Sequence, residues 1–249
     1  MSDRAIPSTR RCAVLDLETS PDQDAYVLAR RRRAAPRGSP IHALVAASVL
    51  TYEEDGDGVP GLFELHSFHI DEYCEADILD NLEMRLRPVV DGGGLLSTFN
   101  GTAHDLPTIR HRQLRWWRLE AHLVEAVLQE EVEHLDIMLE MSSGGEARWP
   151  TLADACASVG FSLHGPTPLA VTRVSPPETV KCEQDVVGTM ILTCYVLAMR
   201  HRSRDRLRIS LASLGRHLRR IAATRPHLER FATSGLLADD ATAWGAAAR

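Results

Sequence analysis

Apolar and polar positions along the chain exchange a strand rhythm for a helix rhythm many times over, so strands and helices are predicted in turn. The first run, Ala13-Val14-Leu15-Asp16-Leu17-Glu18-Thr19, is apolar except for two carboxylates one residue apart. Side chains alternate between the faces of a strand, so Asp16 and Glu18 share a face while Leu15 and Leu17 point into packing. Residues Met1 to Arg11 are polar and read as loose chain. Asp22 to Arg33 reads as a short helix closing on Arg30 to Arg33, and Ala34 to Pro40 as a loop. His42 to Tyr52 and Leu62 to Ile70 form a hairpin around the acidic, glycine-bearing Glu53 to Gly61.

Glu75 to Val90 has helical spacing at Ile78, Leu79, Leu82, Leu86 and Val89. Gly92-Gly93-Gly94 is a turn before a strand, Leu95 to Phe99; a phosphate-cradling glycine loop needs the reverse order, strand before and helix after. A helix starts at Asp105 and runs through Arg110 to Arg118, and Trp116, Trp117, Leu123, Val124 and Val127 continue it as core. His134 to Leu139 is a short strand carrying Asp136, and Thr151 to Val159 a helix stopped by Gly160. Gly165 to Pro177 is a proline-rich loop. A long helix then runs from Pro177-Glu178 to about Arg200, with Lys181 and Asp185 one turn apart on one face. From Asp205 an arginine-rich amphipathic helix places Leu207, Leu211, Leu214, Leu218 and Ile221 on one side, for packing or for a partner protein.

A chain of 249 residues holds one α/β domain, here residues 1–204, with a C-terminal helical extension, 205–249. The formal charge of -6 argues against coating nucleic acid through bulk electrostatics, yet leaves room for a local basic groove. Lys181 is the only lysine. The five cysteines are scattered without a CxxC pair, which argues against a disulfide framework or structural zinc and fits a reducing cytoplasm. No export signal stands at the N-terminus, and Val186 to Met199 is too short to cross a bilayer, so no membrane association is expected.

Composition leaves the chemistry to the carboxylates. Two like charges on one strand face repel unless a cation, most simply a divalent metal, relieves them; this points to a metal-dependent enzyme acting on phosphates. The arginines that include Arg31 and Arg32 are either phosphate contacts beside that strand or a solvated basic loop. Asp105 reads as a plain N-cap or as a further acid of the site.

Asp16-Leu17-Glu18-Thr19 matches D-x-E-T. Asn100 with Asp105 matches N-x-x-x-F/Y-D, with His104 at the aromatic position, and Lys181-Cys182-Glu183-Gln184-Asp185 matches Y-C-x-x-D, with lysine for tyrosine. In this order the three resemble the motifs of the DEDD superfamily of 3′→5′ exonucleases, over Ala13 to Arg200, and most closely the branch of the proofreading domain of B-family DNA polymerases. The resemblance implies a ribonuclease H-like mixed sheet flanked by helices. It implies that Asp16, Glu18, Asp105 and Asp185 bind two Mg²⁺ or Mn²⁺ ions, that Lys181 stands among the catalytic groups, and that Thr19, Asn100, His104, Arg31 and Arg32 face the substrate. It further implies hydrolysis of terminal phosphodiesters of single-stranded DNA, more than RNA, with release of nucleoside monophosphates. Neither the family's tyrosine nor its alternative histidine is present, since Lys181 and Val180 hold those positions. Three roles for Lys181 stay open: a neutral amine that orients water, an ammonium in the space of a metal, or a residue facing solvent. The second would make a catalytically weak module that binds nucleic acid or a partner.

Overall fold

Five strands form one mixed sheet in the order β3-β2-β1-β4-β5: β1 Arg10–Pro21, β2 His42–Glu54, β3 Pro60–His69, β4 Leu95–Thr98 and β5 Glu133–Asp136. β1, β2 and β3 pair antiparallel, while β4 lies parallel to β1 and β5 parallel to β4. The computed structural model describes residues 9–29, 40–144, 149–163 and 176–238. The helices are α1 Gln23–Leu28, α2 Glu75–Asp91, α3 Asp105–Arg115, α4 Leu123–Leu128, α5 Ile137–Met141, α6 Leu152–Ser158, α7 Pro177–Arg200, α8 Arg204–Ile221 and α9 Glu229–Ala232. This is the mixed α/β sheet with flanking helices and a C-terminal helical part that the sequence predicts.

Alternation along β1 sorts its side chains between two cores. Ala13, Leu15 and Leu17 pack with Ile78, Leu79 and Leu82 of α2 and Ile109 of α3. Cys12 and Val14 face the other way, onto Val186, Val187, Met190 and Ile191 of α7. Each fully buried leucine of this kind contributes roughly 1.5–3 kcal/mol. Asp16 and Glu18, in phase with Val14, therefore lie on the α7 face. The rows across the sheet continue that change of character: Val14, Leu50 and Leu65 are apolar, Asp16 is followed by Ser48 and Ser67, and Glu18 by Ala46 and His69. A register shift between Glu18 and Thr19 ends the regular pairing beside this polar end.

Several predicted boundaries move. β1 begins at Arg10, inside the stretch read as loose, because Arg10 and Arg11 stand opposite Glu54 and Glu53. Gly94 passes directly beneath the strand: a Cβ there would lie 1.9 Å from the Arg11 carbonyl oxygen. Trp116 and Trp117 are not core. Trp117 adopts φ 56° just after α3 ends, and the two are 40% and 82% exposed. β5 stops at Asp136, and Ile137–Met141 turn helical because Asp136 accepts from the Met138 and Leu139 amides as an N-cap. The helix predicted over Asp22 to Arg33 is described as far as α1, with Asp22 as its N-cap; Arg31 and Arg32 lie outside the described residues. So does all of the predicted 165–177 loop up to residue 175.

α7 meets the length and apolarity needed to cross a bilayer, but 72% of that window is buried inside the protein. It runs unbroken through Gly188, where a Cβ would meet Leu163 Cδ1 at 2.7 Å, so the glycine admits the chain that follows α6 against the helix. Leu211, Leu214 and Leu218 of α8 join the core on the α7 face, so packing claims the stripe that was read as packing or partner-binding.

Candidate metal centre

The polar end of the sheet is closed by the first turns of α7. Pro177 at the start of the helix has no amide hydrogen to leave unsatisfied, and Glu178 in the first turn suits its positive end. Cys182 is fully buried and its thiol donates to the main-chain oxygen of Asp16 at 3.1 Å, which seats this turn on β1. One residue before and three after that anchor stand Lys181 and Asp185, both on the face toward the strand.

The carboxylate oxygens of Asp16, Glu18 and Asp185 come within 4.8 Å of one another. The Lys181 ammonium donates to Oε1 of Glu18 and, at 2.7 Å, to Oδ2 of Asp185, while its side chain stays 52% exposed. The lysine thus spans the two carboxylates at the mouth of the group, and it does not point out into solvent alone. Burial opposes its charge, but Asp185 and Glu18 outweigh burial and hold its pKa above the ordinary lysine value. Asp16 moves the other way. Burial, then the charges of Asp185 and Asp105, push its pKa well above the carboxylate range against the pull of Lys181.

Asp105 opens α3 after the turn that follows β4. That turn is tight: Asn100 takes φ 67°, and a Cβ on Gly101 would lie 2.1 Å from Thr98 Oγ1. Asp136 fastens it, one carboxylate oxygen accepting the Asn100 amide at 3.0 Å and the other the Thr102 amide at 2.9 Å. The predicted site did not include Asp136; its signal is an acid at the end of a strand directly before an apolar helix. His104 Nδ1 lies 2.8 Å from Asp105 Oδ1. Burial raises the Asp105 pKa, His104 opposes that, and Glu18 and Asp136 add to it. Asp105 is therefore close enough to feel Glu18, and for Asp16 to feel it in turn, but it stands outside the tight trio. Thr19 Oγ1 lies 3.3 Å from His42 Nδ1, a contact within the protein, and the Asn100 main chain holds the turn.

Among the described residues, three buried carboxylate oxygens have no hydrogen-bond partner: Asp16 Oδ2, Asp105 Oδ2 and Asp185 Oδ1. Buried acceptors of like charge repel one another, so bare carboxylate oxygens gathered at one end of one sheet are donor atoms open to a cation. Hard oxygen donors of this kind fit Mg²⁺ or Mn²⁺, and an acidic triad able to hold a metal ion is what the fold assembles.

A second cluster, unforeseen from the sequence, braces the same turn. Glu183 is 3% exposed and accepts from Ser67 Oγ at 2.6 Å and Arg225 Nε at 3.0 Å, with His227 Nε2 at 2.6 Å. Burial works against its charge, yet these three groups together take its pKa below the usual glutamate range. Two surface clefts among the described residues are lined by other side chains. One of about 290 Å³ is lined by residues including Arg11, Leu62, His66 and Met84, another of about 450 Å³ by Leu79, Glu83 and Trp117; neither includes the carboxylates of the trio. No known family's sequence profile matches the chain, and no curated protein matches it either.

Proposed function

We propose that the protein is a metal-dependent 3′→5′ exonuclease that hydrolyses terminal phosphodiesters of single-stranded DNA and releases nucleoside monophosphates. The observation that carries this reading is the meeting of Asp16, Glu18 and Asp185 from two distant parts of the chain, with buried oxygens left unpaired. The order of the three sequence motifs, which resembles that of DEDD exonucleases, supplies the reaction class. Mg²⁺ or Mn²⁺ bound there would supply Lewis acidity toward phosphate and a water activated at neutral pH. Asp16 and Asp185 would hold the metal from the strand and the helix, and Glu18 would share its charge between metal and Lys181. Asp105, oriented by His104, is the fourth acid, set back in the turn that Asp136 fixes. A cytoplasmic setting suits the five free thiols.

The decisive assay follows release of nucleotide from an oligonucleotide labelled at its 3′ end, with Mn²⁺ or Mg²⁺. Release is expected from the wild type and should fall by at least about a thousandfold in Asp16→Ala, as when a group central to the reaction is removed. Absence of any metal-dependent release from the wild type would sink the reading. A second reading, a module of the same fold that binds single strands without cutting them, is favoured by the ammonium lodged between Glu18 and Asp185. It predicts salt-sensitive binding of single-stranded DNA that survives a chelator.

A further inference from the structure

We propose that the Lys181 ammonium is a built-in cation that takes the place of one of two metal ions, so that this centre accepts a single divalent ion. The inference rests on the metal-dependent reading above and departs from the two-ion site that the sequence resemblance implies.

Lys181 does what a bridging metal would do at this spot, binding one oxygen each of Glu18 and Asp185. A divalent ion bridging the same pair would lie almost in contact with the ammonium, and positive charges that close repel strongly in a partly desolvated site. The oxygens left unpaired are elsewhere: Oδ2 of Asp16, Oδ1 of Asp185 and, farther back, Oδ2 of Asp105. An ion held by these oxygens would not compete with the ammonium, which takes Oε1 of Glu18 and Oδ2 of Asp185. Charge arithmetic agrees. Within the trio, three ionised carboxylates and one ammonium carry a net charge of minus two, which one divalent ion cancels; Asp105 adds a fourth acid set back from it. Lys181 is the only lysine of the chain, and its compact ammonium reaches both carboxylates as a point charge. The anchor at Cys182 holds it there, because the helix turn cannot rotate without breaking the thiol contact to Asp16.

The test counts bound Mn²⁺ by electron paramagnetic resonance on the full chain, for the wild type, Lys181→Met and Lys181→Arg. The wild type should bind one ion. Lys181→Met, which keeps the length and removes the charge, should bind a second ion with a spin-coupled signal and hold the first about tenfold more tightly, as expected when a like charge is removed. Lys181→Arg, which restores the charge, should bind one. Two ions on the wild type overturn the inference, as does a Lys181→Met protein that binds one ion no more tightly, or an arginine variant that binds two; in each case the metal-dependent reading stands. If neither the wild type nor Lys181→Met binds Mn²⁺, both readings fall. The wild-type count decides even if a variant fails to fold.

Discussion

Glu75 and Asp185 are buried to the same degree, 6% and 7% exposed, on opposite sides of one sheet, and their surroundings could hardly differ more. Glu75 opens α2 and receives four donors: the Leu44 amide and Arg112 Nε on one oxygen, Arg112 Nη2 and Trp116 Nε1 on the other. Arg112 spends its remaining amine on Asp22, the N-cap of α1. Every charge there has a partner from within the chain. Asp185 has one donor, Lys181, and one oxygen with none, and it lies against Asp16, whose Oδ2 is equally bare. A folded chain can satisfy a buried carboxylate completely when nothing else must bind it. Where it leaves the group incomplete beside others of the same charge, the omission is informative about what the site is for.

The contrast can be broken most forcefully at the satisfied end. Arg112→Met should lower stability in urea by about 3–5 kcal/mol, because it strands Glu75 and Asp22 as buried, unpaired charges. A loss below about 1 kcal/mol would mean that this network is not the structural tie described.

Acid pH separates a buried base from the buried acids. His217 lies against Phe63 with Nε2 unpaired, and burial, then Arg220 and Arg225, depress its pKa from 6.5 to about 4. Between those two values the unfolded chain binds a proton that the folded chain refuses, so stability falls as the pH drops through this window, by roughly 3 kcal/mol in all. Urea midpoints at several pH values should show this slope in the wild type and lose it in His217→Gln.

Asp16 has the opposite sign, and the effect is smaller. Its raised pKa means the folded state binds the proton more readily than the unfolded, so the metal-free fold is relieved as the pH falls. Asp16→Asn, with a chelator present, should raise stability at pH 7 by about 1–2 kcal/mol, the direction expected when a site kept for function is neutralised. That advantage should shrink toward acid pH. A variant less stable than the wild type at neutral pH would place Asp16 with Glu75, among the satisfied groups.

The half of the site carried by β1 was legible because strand alternation is strict: one residue between Asp16 and Glu18 fixes a common face whatever the neighbours do. Spacing put Asp185 on one helix face with Lys181, while its meeting with the strand acids was expected only from the resemblance of the motif around it. The turn holding Asp105 was only half legible, since Asp136, which fastens it, comes from a strand more than thirty residues onward. The Glu75–Arg112 and Glu183–His227 ties were not legible, for they join residues 37 and 44 apart and leave no local pattern. Trp116 and Trp117 misled because their apolar spacing fits a longer α3; the left-handed backbone at Trp117 ends it, and the indole of Trp116 is held by Glu75 instead.

Glu183 sits on the turn of α7 between Lys181 and Asp185, and two of the three side chains that hold it, Arg225 and His227, come after α8. The described residues that follow α7, 204–238, are therefore no detachable tail. A fragment cut at Arg204 would strip Phe63 of its cover and leave Glu183 a charge clasped by a single hydroxyl. The shortest chain able to keep the acids in place extends at least to the 3₁₀ turn Pro226–Leu228, so any minimal version of this molecule must be trimmed from some other edge.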